Sequence, residues 1–109
     1  MNATEVELHV EIEAWLSRLG QRDWDRVAVI IDRLATSGAA ARMPLSRSLG
    51  DGLFELRFTL RQTARRITYR FTRDGRIILL TTFRKQRGNE RHEIARAKRV
   101  AAQCAIEYP

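Results

Sequence analysis

The start of the chain changes from a two-residue hydrophobic period to a helical one. Apolar and polar residues alternate between Val6 and Ile12, which is the period of a half-buried strand. From Ile12 to Leu19 apolar residues recur every three or four positions, and this spacing predicts a short helix from about Val10 to Gly20. We therefore expect a strand followed closely by a helix.

A second helical stripe runs from Trp24 to Leu34, with charged residues on the opposite side. This helix should end at Gly38, since glycine commonly terminates helices. The two helices would form a hairpin that packs its apolar stripe, including Trp15 and Trp24, on the sheet that follows.

Three strands are predicted after Pro44, over residues 53–60, 65–72 and 76–83. Between the second and third lies Asp74-Gly75, which favours a tight hairpin because its central residues require positive φ. The third strand is almost continuously apolar, as expected of a strand covered on both faces or central in the sheet. A last helix is predicted from Asn89 to about Ala105, with Cys104 in its packing seam.

These elements predict one domain over residues 1–109, of the α+β class. Two N-terminal helices would pack on a small antiparallel sheet of three to four strands, followed by a C-terminal helix. No repeat, linker or low-complexity tract divides the chain.

Charge narrows the choice of partner. The chain has 20 Lys and Arg against 13 Asp and Glu, a formal net charge of +7, so polyanions such as nucleic acid are the natural partners. The N-terminus lacks a signal peptide and no apolar run is long enough to span a membrane, which predicts a cytoplasmic protein without membrane contact. One cysteine excludes an internal disulfide, and the absence of nucleotide-binding, zinc-binding and hydrolase motifs predicts no cofactor and no metal.

The first two strands carry arginines on their polar parity. Phe54 and its alternate neighbours point one way, so Glu55, Arg57, Thr59 and Arg61 should point the other way. Arg66 and Arg70 have the same parity on the second strand. Such neighbouring cations are unfavourable unless Glu55 or an external anion compensates them, and a phosphodiester would do so. The alternative is a polar sheet face that is simply solvated.

A basic segment follows the third strand and leads into a helix N-terminus, which favours anions. Its cations are Arg84, Lys85, Arg87 and Arg91. The alternative interpretation of this segment is a solvated connection without a binding role.

Cleavage of RNA would also require proton transfer, which arginine does not perform. The candidates are Lys85, Glu55, His92 and the phenols Tyr69 and Tyr108. Tyr69 lies on an apolar parity and is expected in the core, and His9 is expected to be an exposed surface residue. The sequence assigns neither the acid nor the base.

Four short motifs, in order and in register with the predicted elements, resemble those of phage-related and HigB-type toxins of the RelE/ParE superfamily. They are Gly52-Leu53-Phe54-Glu55-Leu56-Arg57, then Arg66-Ile67-Thr68-Tyr69, then Phe83-Arg84-Lys85, and finally Glu93-Ile94 with Ala97 and Arg99. The chain departs from the family pattern after Lys85, where Gln86-Arg87-Gly88-Asn89 replaces a threonine- and lysine-containing segment.

The resemblance implies an α+β fold with an open sheet face, and a toxin that cuts messenger RNA in the ribosomal A site without a metal ion. It also implies a co-encoded antitoxin, commonly with a helix-turn-helix, in a toxin–antitoxin hetero-oligomer. Arg57 and Arg66 match the family positions that hold the phosphate, and Lys85 matches the lysine that follows the third strand. These three are the expected catalytic residues. The RNA-binding residues expected around them are Glu55, Arg61, Arg70, Arg84, Arg87, Arg91 and His92.

Two alternatives remain on the same fold, because fold alone does not decide function. One is a ParE-like inhibitor of gyrase, and the other is an inactive relic that binds nucleic acid through the same cations.

Overall fold

A computed structural model describes residues 3–109. The elements in chain order are β1 (Val6–Leu8), α1 (Val10–Ser17), α2 (Gln21–Ser37), β2 (Ser46–Gly50), β3 (Leu53–Leu60), β4 (Thr63–Phe71), β5 (Ile77–Arg84) and α3 (Glu90–Glu107). A short 3-10 turn, Gly38–Ala40, follows α2. The helices and the last three strands are those predicted from the hydrophobic periods.

The sheet differs from the expected one in size and in direction. It has five strands in the order β1-β5-β4-β3-β2. β1 pairs with β5 in parallel, with Val6 opposite Ile77, whereas the other pairs are antiparallel. The expectation of an antiparallel sheet of three to four strands is therefore wrong. After α2 the chain enters the sheet at the β2 edge and crosses it strand by strand, so that β5 lies beside β1 and runs in the same direction.

One face of the sheet is covered by α1 and α2. Ile12 and Trp15 from α1, and Val27, Ile30 and Leu34 from α2, are buried against the sheet. The strands contribute alternate residues to this core, namely Leu56, Phe58, Ile67, Tyr69, Ile77 and Leu79. α1 and α2 thus form one layer on this face of the sheet.

Trp24 is an exception to the predicted core. Its side chain is 47% exposed, whereas Trp15 is 7% exposed. The prediction that both tryptophans are buried is wrong for Trp24, because it stands at the edge of the α2 stripe, beside an open apolar groove with Leu16 and Ile31.

The opposite face carries α3, whose position the sequence did not predict. Ala97 and Cys104 of α3 are buried against Leu53, Ile78 and Leu80. The sheet face expected to be open is therefore covered along part of its length. Among the charged residues that β3 and β4 place on this face near the N-terminus of α3, Arg57 is partly exposed, whereas Glu55 and Arg66 are buried.

β5 packs against both helical layers and carries a β-bulge. Thr68 pairs with Thr81 and the next residue, Tyr69, pairs with Leu79, so Leu80 is the extra residue. Seven of the eight residues of β5 are buried, which confirms the prediction of a strand covered on both faces.

The β4–β5 hairpin forms where it was predicted, with a different turn. Only Gly75, at φ +86°, has positive φ, and Asp74 does not. The Thr72 amide donates to the Arg76 carbonyl at 2.9 Å, and the Thr72 hydroxyl donates to the Asp74 carboxylate. One glycine in the left-handed region is therefore sufficient for this longer loop.

Candidate nucleic-acid interface

Arg57 and Arg66 are directly opposite each other on β3 and β4. Beside them Glu55 is completely buried, and its carboxylate lies 3.3 Å from Arg57 Nη1 and 3.7 Å from Arg66 Nε. We call Arg57 and Arg66 the arginine pair. Like charges facing each other across a sheet are destabilising unless a counter-ion is present, and Glu55 is that counter-ion.

A third guanidinium reaches the same carboxylate from β2. Arg47 is opposite Glu55 in the β2–β3 ladder, and its Nε lies 3.4 Å from Glu55 Oε2. Arg47 was not predicted from the sequence, because the segment Ser46–Gly50 lacks the branched and aromatic residues that mark a strand. Its signal was weak: an arginine with serines on either side, in a segment opposite the Glu55 motif.

Arg66 is the poorly solvated member of the arginine pair. Burial, and then repulsion from Arg57, lower the pKa of Arg66 below its ordinary value, and Glu55 opposes this effect. Arg66 Nη1 donates to the Arg65 carbonyl at 3.0 Å. Within residues 3–109, Arg66 Nε and Glu55 Oε1 are buried without a hydrogen-bond partner. The site thus has three guanidinium groups, one carboxylate and unused hydrogen-bonding capacity.

Glu55 lies beneath the guanidinium groups rather than at the surface beside them. Its side chain has no exposed area, whereas those of Arg57 and Arg47 are 21% and 44% exposed. An anion that approaches this face therefore meets Arg57 and Arg47 first.

The basic loop adjoins this face. The Lys85 amide donates to the Ala64 carbonyl at 2.8 Å, which continues the β4–β5 ladder by one residue. Phe83 is opposite Arg66, and alternate residues of a strand share a face, so Lys85 is on the side of the arginine pair. Asn89 secures the loop, because its side chain accepts from the Gln86 amide and donates to the Arg84 carbonyl.

Three exposed side chains of the predicted set extend from this loop into α3. They are Arg87, Arg91 and His92. The N-terminus of α3 is near enough for the charge of Glu90 to act on Arg66. The loop, the start of α3 and the arginine pair therefore form one end of the molecule.

Other predicted residues lie elsewhere. Arg61 is in the β3–β4 turn at φ +50° and its Nε is 2.6 Å from Asp23 of α2. Its predicted position beside Arg57 is wrong, because the strand ends at Leu60 and the parity argument ends with it. Arg84 is opposite Arg65 and lines a cavity on the helical side of the sheet.

Arg70 is on the face of the arginine pair but is covered by the end of α3. Its Nη1 donates to the Tyr108 carbonyl at 2.6 Å and contacts Cys104 Sγ at 3.7 Å. Arg70 is also four residues along β4 from Arg66, which is roughly 13 Å at the rise of a strand.

The candidates for proton transfer separate in the structure. Tyr69 is buried on the helical face, where its hydroxyl bonds to Ser46 and burial raises its pKa. Tyr108 folds back onto β4 near Arg70, far from the arginine pair. His9 precedes α1 and is half-buried, with Nδ1 buried and unpartnered among the described residues, so its predicted exposure is wrong. Lys85 and His92 are exposed at the basic end.

Neither a metal cluster nor a spanning helix is found within residues 3–109. No group of three His, Cys, Asp or Glu is placed to hold a metal ion. No helix in this part of the chain has the length and hydropathy needed to cross a membrane.

Taken together, this is an α+β protein with a helical hairpin on one side of a five-stranded sheet and a cationic end. Solved structures with this fold include the toxin–antitoxin complex RelBE2 from Mycobacterium tuberculosis, at a TM-score of 0.59, 16% identity and coverage of 77% of this chain and 100% of the other. They also include a mutant of the E. coli toxin RelE in the free state, at a TM-score of 0.60, 10% identity and coverage of 94% and 97%. The chain has the RelE fold.

The family follows from the sequence. Residues 14–101 match the model of the phage derived protein Gp49-like family (DUF891), and the chain belongs to that family. The resemblance to phage-related members of the RelE superfamily is thereby confirmed, whereas the HigB branch stays a prediction. Among curated proteins no match to this sequence is found.

Proposed function

We propose that this protein is the toxin of a toxin–antitoxin pair and that it cuts messenger RNA in the ribosomal A site without a metal ion. The observation that carries the proposal is the arginine pair, two guanidinium groups opposite each other over one buried carboxylate. It is supported by the Gp49-like family and by the fold shared with RelE.

In the proposed reaction the RNA 2′-oxygen attacks the adjacent phosphorus, and the 5′-oxygen of the next nucleotide leaves. The phosphate gains negative charge in the transition state, where guanidinium donors stabilise it most. Arg57 and Arg66 would bind the non-bridging oxygens, and Glu55 would hold the two cations at this spacing before RNA arrives. Because Glu55 holds both guanidinium groups in place before RNA binds, they need not reorganise during the reaction.

Proton transfer in this proposal falls to the basic end of the molecule. Lys85 shares the face of the arginine pair, and His92 follows in the first turns of α3. Lys85 is the first choice for protonating the leaving 5′-oxygen, because it shares this face and the ladder to Ala64 fixes its backbone. His92 would then accept the proton of the attacking 2′-hydroxyl. Arg87 and Arg91 would bind flanking phosphates.

The proposed partner is an antitoxin encoded beside this protein. One structural neighbour is a toxin–antitoxin complex, which supports such a partner. A short adjacent reading frame with a helix-turn-helix is the expected form. With an antitoxin and the ribosome as its partners, the protein would act in the cytoplasm.

The test is expression in bacteria with mapping of mRNA 5′ ends. The wild-type protein should arrest growth and produce cuts within translated codons, whereas R57A/R66A/K85A should do neither. A matched control, R33A/R73A/R99A, removes the same charge from exposed positions away from the basic end and should stay toxic.

Three results would contradict the proposal. Undiminished cleavage by R57A/R66A/K85A would show that these three residues are not the catalytic residues. DNA breaks with an SOS response and intact mRNA would favour a gyrase inhibitor. Salt-sensitive RNA binding without cleavage, with ribosomes present, would favour a non-catalytic binding protein.

A further inference from the structure

A second cationic region lies on the helical side of the sheet, away from the arginine pair. Two adjoining cavities of about 280 and 750 Å³ share Asp23, Leu60 and Arg61 in their walls. Both open at the end of the sheet where β3 turns into β4. The arginines that line them, which we call the arginine pocket, are Arg18, Arg22, Arg26, Arg61, Arg65 and Arg84.

The charge of the arginine pocket is almost uncompensated. Asp23 is the one carboxylate in the two linings as the described residues form them, and it pairs with Arg61 at 2.6 Å. Within residues 3–109, Arg18, Arg22 and Arg84 make no ion pair. The arginine pair has a counter-ion built into the sheet, whereas this region has six guanidinium groups and one carboxylate.

One guanidinium is fixed in advance. Arg65 lies over the ring of Trp15, 4.6 Å from its centroid, and its Nε donates to the Thr82 hydroxyl at 3.3 Å. Burial lowers the pKa of Arg65, the charges of Arg84 and Arg18 lower it further, and the charge of Glu11 opposes them. Proximity of like charges is costly in the free protein and favourable to an anion that neutralises them.

The arginine pocket is linked to the arginine pair through adjacent residues. Arg65 and Arg66 are neighbours on β4 and therefore point to opposite faces of the sheet. Arg84 and Lys85 are neighbours at the end of β5 and divide between the same two faces. A linear polyanion that passes around this end of the sheet can contact both regions.

We propose that the arginine pocket binds the sugar-phosphate backbone of RNA outside the cleavage site. A phosphodiester chain presents one charge per nucleotide and can contact several guanidinium groups in succession, with bidentate geometry at each. A protein partner is less suited, because a protein interface usually centres on an aromatic or aliphatic anchor seated in a pocket. The one aromatic ring in the lining, Trp15, is 7% exposed and covered by Arg65.

This inference rests on the proposed function only in naming RNA as the partner, since it requires binding and not cleavage. The test compares R18Q/R22Q with R33Q/R73Q in the full chain. Both double variants remove two exposed arginines, but Arg33 and Arg73 lie outside the arginine pocket. Neither Arg18 nor Arg22 belongs to the proposed catalytic set. Thermal unfolding should show all three proteins folded alike.

The readout is the salt dependence of binding to a single-stranded RNA of about 20 nucleotides, measured by fluorescence anisotropy. Each phosphate contact on a single strand contributes about 0.7 to the slope of log affinity against log salt, so R18Q/R22Q should lower the slope by about 1.4. At about 1 M salt the electrostatic contribution vanishes. At about 0.1 M salt R18Q/R22Q should bind RNA about 25-fold more weakly than the wild type does, beyond any difference that remains at 1 M. R33Q/R73Q should bind as the wild type does.

Equal slopes for R18Q/R22Q and R33Q/R73Q would overturn the inference. So would an R18Q/R22Q variant that keeps its RNA slope but loses affinity for poly-glutamate, since the pocket would then accept acidic polypeptide. If mRNA cleavage depends on Arg57, Arg66 and Lys85 while the slopes are equal, this inference alone fails. If the slopes differ but no cleavage occurs, the proposed function fails and this inference stands.

Discussion

Replacing Glu55 with glutamine removes a buried charge while almost preserving side-chain volume. Glu55 has no exposed area, and guanidinium nitrogens of Arg57, Arg47 and Arg66 lie 3.3, 3.4 and 3.7 Å from its oxygens. In the variant these cations would face one another with a neutral amide among them. We therefore expect a stability loss that an exposed glutamate would not produce.

The size of this loss follows from burial. At an effective dielectric constant of about 20, each contact contributes roughly 4–5 kcal/mol of Coulomb energy, most of which offsets desolvation. Removing one partner of a buried pair commonly costs about 3–5 kcal/mol. Arg47 and Arg57 are 44% and 21% exposed and regain hydration, whereas Arg66 is 5% exposed and does not. We expect about 3 kcal/mol, or a melting temperature about 12 °C lower.

Urea unfolding followed by circular dichroism measures this change. Glu13→Gln, at an exposed position of α1, is the matched control and should stay within about 0.5 kcal/mol of the wild type. The double variant E55Q/R66M should be more stable than E55Q, because it removes the most buried cation together with its counter-ion. A loss below about 1 kcal/mol for E55Q, or a double variant no more stable than E55Q, would refute the counter-ion argument.

The same variant also reports on anion binding. With Glu55 neutral, a phosphate ion has more to gain at the arginine pair, so phosphate should raise the melting temperature of E55Q more than that of the wild type. Equal shifts at matched ionic strength would contradict the expected gain in phosphate binding on loss of the Glu55 charge.

Three further predictions concern the frame around the site. Trp15→Ala should lower the free energy of unfolding by about 3–5 kcal/mol and Trp24→Ala by less than about 1 kcal/mol, because Trp15 is buried and Trp24 is half exposed. Equal losses in urea unfolding would contradict the placement of Trp24. Gly75→Ala should cost about 1–2 kcal/mol at φ +86°, and an unchanged unfolding midpoint would refute this turn geometry. Burial alone would raise the pKa of Glu11, but hydrogen bonds from Arg96 and Thr82 and the Arg96 charge lower it overall. The stability that this shift contributes is present above pH 4.5 and is lost as the pH falls through the pKa of Glu11 in the folded protein. Glu11→Gln should therefore flatten the curve of unfolding free energy against pH below pH 4.5. An unchanged slope in that range would contradict the stabilising role of Glu11.

The parts of the fold that the sequence predicted are those with a strong hydrophobic period. The stripe from Trp24 to Leu34 and the alternation over residues 53–60 each have one periodic interpretation, and the structure follows both. Strand β2 has no such pattern, since Ser46–Gly50 is polar and lies at the sheet edge. The parallel pairing of β1 with β5 depends on a contact between residues about 70 positions apart, which no local pattern encodes.

The candidate site was predictable only where strand parity holds. Arg57 and Arg66 are both inside regular strands, and parity placed them on one face together with Glu55. Parity failed at Arg61, because the strand had already ended. It was correct for Arg70, but no sequence pattern indicated that the end of α3 would cover that side chain. Arg47 was not predicted because β2, the strand on which it lies, was not predicted.

The central claim is that the arginine pair and Lys85 cut messenger RNA on the ribosome. The most direct measurement uses purified ribosomes programmed with a defined mRNA and an empty A site, with cleavage detected by primer extension. The account predicts one cut in the A-site codon with the wild-type protein and with R33A/R73A/R99A, and none with R57A/R66A/K85A. Intact mRNA with the folded wild-type protein, or an undiminished cut with R57A/R66A/K85A, would contradict it.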